Sequence, residues 1–148
     1  MKNPRTLILG TWRSDKRRTL ETCHRYHCLT GAKRRKFGSV FGRLVLRYTR
    51  NRLYYSQGGF EWKAKYEVIG QDAESLVLRI HSGDLWKKAE PFTADILKEI
   101  MMKPRFEHIN FRRRHGLLYY WIGGGSFCEW FRRQDTQPSR SRQRRARP

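Results

Sequence analysis

Phe60-Glu61-Trp62-Lys63-Ala64-Lys65-Tyr66-Glu67-Val68 alternates five apolar residues with four charged ones without a break. A period of two is the mark of a strand with one buried face and one wet face. Phe60, Trp62, Ala64, Tyr66 and Val68 are therefore expected to point inward together. Immediately before them, Gly58-Gly59 predicts a tight hairpin, because both glycines accept positive φ. After them, Gly70-Gln71-Asp72 turns the chain again. Ser75 to Ser82 then repeats the alternation, with Leu76, Leu78 and Ile80 on one face.

The same pattern extends in both directions. Upstream, Thr6 to Trp12 and Phe41 to Thr49 read as strands, and Leu53 to Ser56 as a short aromatic one. Downstream, Phe106–Arg112, Leu117–Ile122 and Ser126–Arg133 read as strands, with Gly123-Gly124-Gly125 as a turn. Two segments have the helical period instead. Ser14-Asp15 offers an N-cap for a helix over 15–29, and Thr93 opens one that Pro104 closes. Lys33-Arg34-Arg35-Lys36 reads as an exposed connection. About eight short strands with turns between them predict a mainly β fold: a single antiparallel up-and-down β-barrel or half-barrel over residues 1–133, with two accessory helices.

The chain has 148 residues, enough for one domain with a real core. Apolar residues make up 38% and aromatic residues 14%, so the core is expected to rest on a few large side chains. Net charge is +20, which favours anionic partners. The charge is uneven. Residues 1–36 carry 11 Lys/Arg against 2 acids, and residues 136–148 carry five Arg and no acid. The tail 134–148 is polar, Arg-rich and expected to be disordered. No apolar run approaches the roughly 20 residues of a bilayer span, so no membrane insertion is expected. Cys23, Cys28 and Cys128 are an odd number without a signal segment before them, and free thiols in a cytoplasmic setting are the default.

At Gly10-Thr11-Trp12 the chain resembles the start of a lipocalin or related calycin barrel. That resemblance implies a Gly-x-Trp opening the first strand of an eight-stranded up-and-down barrel. It also implies a basic residue from the last strand packed over the tryptophan, here Arg132 or Arg133. It further implies a cup that binds a small apolar or amphipathic ligand, with an anionic one also allowed. Gly10, Trp12, Arg132 and Arg133 are then the barrel closure. Leu44, Leu46, Trp62, Tyr66, Leu78, Phe111 and Glu129 are the expected lining of the interior.

No catalytic or cofactor motif stands out, so the first reading is a non-catalytic binding protein without a cofactor. The alternative is a basic protein that binds the phosphate backbone of RNA or DNA, or another polyanion, through Lys33, Arg34, Arg35, Lys36, Arg112, Arg113 and Arg114. A small enzyme using Glu129, His108 or His81 in the cup is the least supported. Glu129 shares parity with Phe127 and Phe131, so it is expected on an apolar face with Arg79, Arg112 or Arg132 as a partner. Cys23 with His27 and His24 with Cys28 make i, i+4 thiol–imidazole pairs, but one helix cannot surround an ion with four ligands. The simpler reading is packing, and no metal is assigned.

Overall fold

A computed structural model describes residues 3–81, 83–87, 105–112, 116–121 and 128–134. The helix expected over 93–102 and the tail beyond residue 134 lie outside them. Nine strands are described: β1 Gly10–Ser14, β2 Val45–Tyr48, β3 Arg52–Gln57, β4 Phe60–Gln71, β5 Ser75–Ile80, β6 Asp84–Lys87, β7 Arg105–Arg112, β8 Gly116–Trp121 and β9 Cys128–Arg133. Four short helices accompany them: α1 Pro4–Leu7, α2 Lys16–Thr22, α3 His24–Cys28 and α4 Gly31–Ser39.

Every pairing is antiparallel, and the sheet curls back on itself. Its order is β3-β2-β1-β9-β8-β7-β5-β4-β6, with β3 also paired to β4. The β3–β4 ladder, Arg52↔Lys65 to Gln57↔Phe60, joins the two flanks. Eight strands thus form a ring in sequence order, closed where β1 meets β9 at Trp12↔Arg133 and Ser14↔Phe131. The mainly β, up-and-down barrel expected from the alternation is what the chain forms. β6 is a continuation of β5 along the same edge of β4, facing Glu61, Trp62 and Lys63.

The core lies where the alternation places it. Trp62, Ala64 and Tyr66 of β4 are buried, while Lys65 and Glu67 are exposed. Leu46, Leu53, Leu76, Leu78, Ile80 and Ile109 are fully buried from four different strands. Each contributes about 1.5–3 kcal/mol through lost apolar exposure.

Three local expectations are corrected. Thr6 to Trp12 is not one strand. Asn3 caps Arg5 N–H, Pro4 sits in the first turn, and α1 forms before β1 begins at Gly10. The helix over 15–29 is two helices, because Cys23 adopts an extended conformation (φ −88°, ψ 104°). Just before it, the Thr22 hydroxyl donates back to the Arg18 and Thr19 carbonyls and accepts from Trp130 Nε1. The basic run 33–36 is helical, within α4. Lysine and arginine are good helix formers, and Arg34 lies 4.4 Å from the Tyr26 ring centroid, tying α4 to α3.

Strand directions define two ends of the barrel. The β1–β2 connection with α2, α3 and α4, the Gly58-Gly59 hairpin and the start of β7 share one end. That is the helical end. Helix α1, the Thr49–Arg52 turn and the end of β9 share the other.

Candidate functional site

The α1 end is shut by side chains. Trp12 donates its indole N–H to the Ile8 carbonyl at 2.8 Å. The Arg133 guanidinium lies 4.5 Å from the Trp12 ring centroid and donates to the Leu9 carbonyl at 2.9 Å and the Leu7 carbonyl at 2.5 Å. Gly10 has φ +120°, and a Cβ there would fall 2.8 Å from an Arg133 nitrogen. Gly10, Trp12 and Arg133 therefore meet. Arg132, opposite Arg13, is exposed on the outer wall and takes no part.

A polar cluster sits inside the barrel toward the helical end. Leu53 and Tyr55 of β3, Trp62 of β4, and Glu107 and Ile109 of β7 all face inward by parity. Tyr55 Oη donates to Glu107 Oε1 at 2.8 Å, and Arg105 Nε donates to the same oxygen at 2.8 Å. Arg105 also contacts the Tyr55 hydroxyl. Its guanidinium lies 5.1 Å from both the Tyr55 and Trp62 ring centroids, and the two rings are 4.8 Å apart. Glu107 is completely buried, and Arg105 keeps 12% side-chain exposure, so the cluster reaches toward solvent at that end only.

Burial dominates the electrostatics of this cluster. It pushes the Glu107 carboxyl above the usual carboxylate range, with Arg105 and Tyr55 working against that shift. It pushes the Tyr55 and Tyr48 phenols well above theirs, and the nearby Glu107 carboxylate adds to both. For Arg105, burial acts to lower the pKa, but Tyr55 and Glu107 outweigh it and the guanidinium is held charged.

Two buried polar atoms here have no hydrogen-bond partner among the described residues: Glu107 Oε2 and Trp62 Nε1. One is an acceptor and the other a donor. Trp62 is also pinned by the backbone. A Cβ on Gly83 would fall well inside van der Waals contact with the indole and with the Lys63 carbonyl. Only glycine allows the chain to cross the ring so closely.

The expected pocket residues divide. Leu44, Leu46, Trp62, Tyr66 and Leu78 are buried in one cluster, with Phe111 packed against it. Tyr66 spends its hydroxyl on the Thr49 carbonyl at 2.7 Å. Glu129 is buried, as its parity predicts, and accepts from Ser14 Oγ at 2.6 Å. Ser14 Oγ in turn accepts from Gly42 N–H. Arg105 and Glu107 were the members missed as a pair. Their signal was present: Arg105, Glu107, Ile109 and Phe111 alternate, which puts opposite charges two apart on an apolar face.

The other candidates are scattered. His108 alternates with the buried Glu107 and Ile109, which puts it on the outer wall. His81 is half exposed, 3.9 Å from Glu67. Lys33, Arg35 and Lys36 are exposed on α4 at the helical end, with Arg34 half-buried. Arg112 ends β7 at the opposite end, and Arg113 and Arg114 lie outside the described residues. Cys28 Sγ is 3.5 Å from His24 Nε2. No group of three His, Cys, Asp or Glu side chains converges as a metal site among the described residues. The Cys128 thiol is pushed up by burial and then by Cys23, which lowers its reactivity.

A concave feature lies on the outer wall. A cleft of about 720 Å³ opens between α2, the end of β1 and the segment entering β2. Arg13, Lys16, Arg17, Arg18, Arg43 and Arg132 line it, with Asp15 and Glu21 as its acids. No helix among the described residues is long and apolar enough to cross a membrane. No protein family, curated protein or solved structure matches this chain.

Proposed function

We propose that the chain is a non-catalytic binding protein of lipocalin-like design, which takes a small amphipathic molecule into its barrel at the Tyr55–Trp62–Arg105–Glu107 cluster. The observation that carries this reading is the pair of unspent buried polar atoms. An unsatisfied buried donor or acceptor costs about 1–3 kcal/mol. A head group that donates to Glu107 Oε2 and accepts from Trp62 Nε1, such as a hydroxyl, removes both costs at once. The apolar part of the same molecule then lies against the aliphatic wall that includes Leu46, Leu78, Ile80 and Ile109. The Gly10–Trp12–Arg133 closure supports the same reading, because it shuts one end and leaves entry to the other.

The test is titration of the full chain with decanol, decane and decanoate, followed by tryptophan fluorescence. Decanol is expected to bind more tightly than decane and to shift the emission. Glu107→Gln and Trp62→Phe are each expected to reduce the preference for decanol over decane. If none of the three ligands changes the emission or the melting temperature, the interior is simply core and the proposal fails.

A further inference from the structure

We propose that the outer cleft between α2, β1 and β2 is an anion site for a compact, multiply charged phosphate ligand. Arg13 of β1 stands directly opposite Arg132 of β9. Side chains in that relation have Cβ atoms about 5 Å apart, and like charges there destabilise the pair. Both residues are exposed, and neither has an acidic partner among the described residues. Arg43, also exposed, precedes β2 on the far side of β1. Three adjacent chain segments therefore present arginines to one space, and Lys16, Arg17 and Arg18 of α2 face it from above.

The acids of the cleft offset only part of this charge. Glu21 is taken by Arg17 at 2.9 Å. Asp15 accepts the Arg18 backbone N–H at 3.1 Å, capping α2. Among the described residues six cations thus share a concave space with two acids, which leaves a clear excess of positive charge. The repulsion is built into rigid elements. Ser14 Oγ holds Gly42 N–H at 2.9 Å, and Gly42, at φ +93°, brings its backbone against Lys16. Pre-positioned arginines suit phosphate because each offers a planar fork of donors. A volume of about 720 Å³ falls in the range of small-molecule clefts. Among the described residues the lining also lacks an exposed aromatic ring on which a base would stack, since Phe41 is buried. Those two features favour a compact phosphate ligand over a nucleic-acid strand.

The experiment measures tripolyphosphate, inorganic phosphate and a 12-nucleotide single strand against the full chain at fixed low salt, by calorimetry and melting temperature. Tripolyphosphate is expected to bind and raise the melting temperature. Arg13→Ser/Arg132→Ser is expected to weaken it about tenfold or more, as loss of charge-assisted hydrogen bonds does. Lys33→Ser/Lys36→Ser, on α4, is expected to leave it nearly unchanged. Without ligand, the Arg13/Arg132 variant is expected to melt at or above the wild type, because the cross-strand repulsion is gone. Should that variant fold poorly, Arg43→Ser takes its place with the same expected loss. Equal losses in the α4 variant and the cleft variant would mean diffuse surface charge and overturn the site. Binding of the oligonucleotide without tripolyphosphate would overturn the compact ligand in favour of a strand.

Discussion

Arg133 lies over the ring of Trp12 and at the same time holds two carbonyls of the segment before it, Leu7 and Leu9. One side chain from the last strand thus fastens the first strand, the barrel's end and α1. Arg133→Ala is expected to lower stability by about 2–3 kcal/mol, from two charge-assisted bonds and a cation–π contact. Lysine should recover only part of this, since it lacks the planar fork. Urea unfolding of the three chains checks both statements.

Gly10→Ala tests the same junction from the backbone side. A side chain at φ +120° is strained, and its Cβ displaces the Arg133 guanidinium. A loss of about 1–3 kcal/mol is expected. In an Arg133→Ala background the steric part should vanish and only the backbone part remain, which a double-mutant cycle by urea unfolding reads directly.

The buried ion pair makes a sharper prediction. Removing Glu107 alone leaves the Arg105 charge in a nearly dry site, which typically costs about 3–5 kcal/mol. Replacing both partners, as Arg105→Met/Glu107→Leu, should cost much less than Arg105→Met alone. The pH dependence has a fixed sign. Glu107 is held above its unfolded value, so its contribution is present below the unfolded carboxyl range and is lost as pH rises through the folded value. Glu107→Gln lacks that loss. Its stability relative to wild type should therefore improve between about pH 4 and neutrality.

Tyr48, Tyr55 and Tyr66 all have phenols raised by burial. The unfolded chain ionises its tyrosines near pH 10 while these three stay protonated, so stability falls as pH rises through that region. Absorbance at 295 nm should show their ionisation only together with unfolding, followed by circular dichroism. Titration of all the phenols in the still-folded chain would contradict the burial described.

Gly83→Ala is expected to push Trp62 off its position, because the new methyl meets the indole and the Lys63 carbonyl together. A loss of about 1–3 kcal/mol is typical of such overpacking. A shift in tryptophan emission with the loss would place the effect at Trp62, whereas a change in melting temperature without one would place it elsewhere.

Much of the barrel was legible because strand parity is a local property. Trp62, Ala64 and Tyr66 needed only their own neighbours to be placed. The Arg133–Trp12 contact was legible through resemblance, and Gly10 through the same short motif. Other features depended on encounters that no local pattern carries. That Glu129 meets Ser14 depends on a residue more than 100 positions away. The α4 helix was missed because its sequence shows no clean apolar stripe, and it is anchored by aromatic contacts with Tyr26 of α3. The basic cleft was hidden because Arg13, Arg43 and Arg132 are far apart in sequence and meet only through the β1–β2 and β1–β9 registers.

The meeting of β1 with β9 also has a kinetic side. These strands are separated by nearly the whole described chain, so their pairing closes the longest loop in the molecule, and such pairings form slowly. On a ribosome, Trp12 is made early and waits for Arg133 to emerge. Until then β1 and β9 are open edges, the kind of surface that pairs with another chain. Two copies of a chain with a net charge of +20 repel each other, which works against such pairing while the ring is still unclosed.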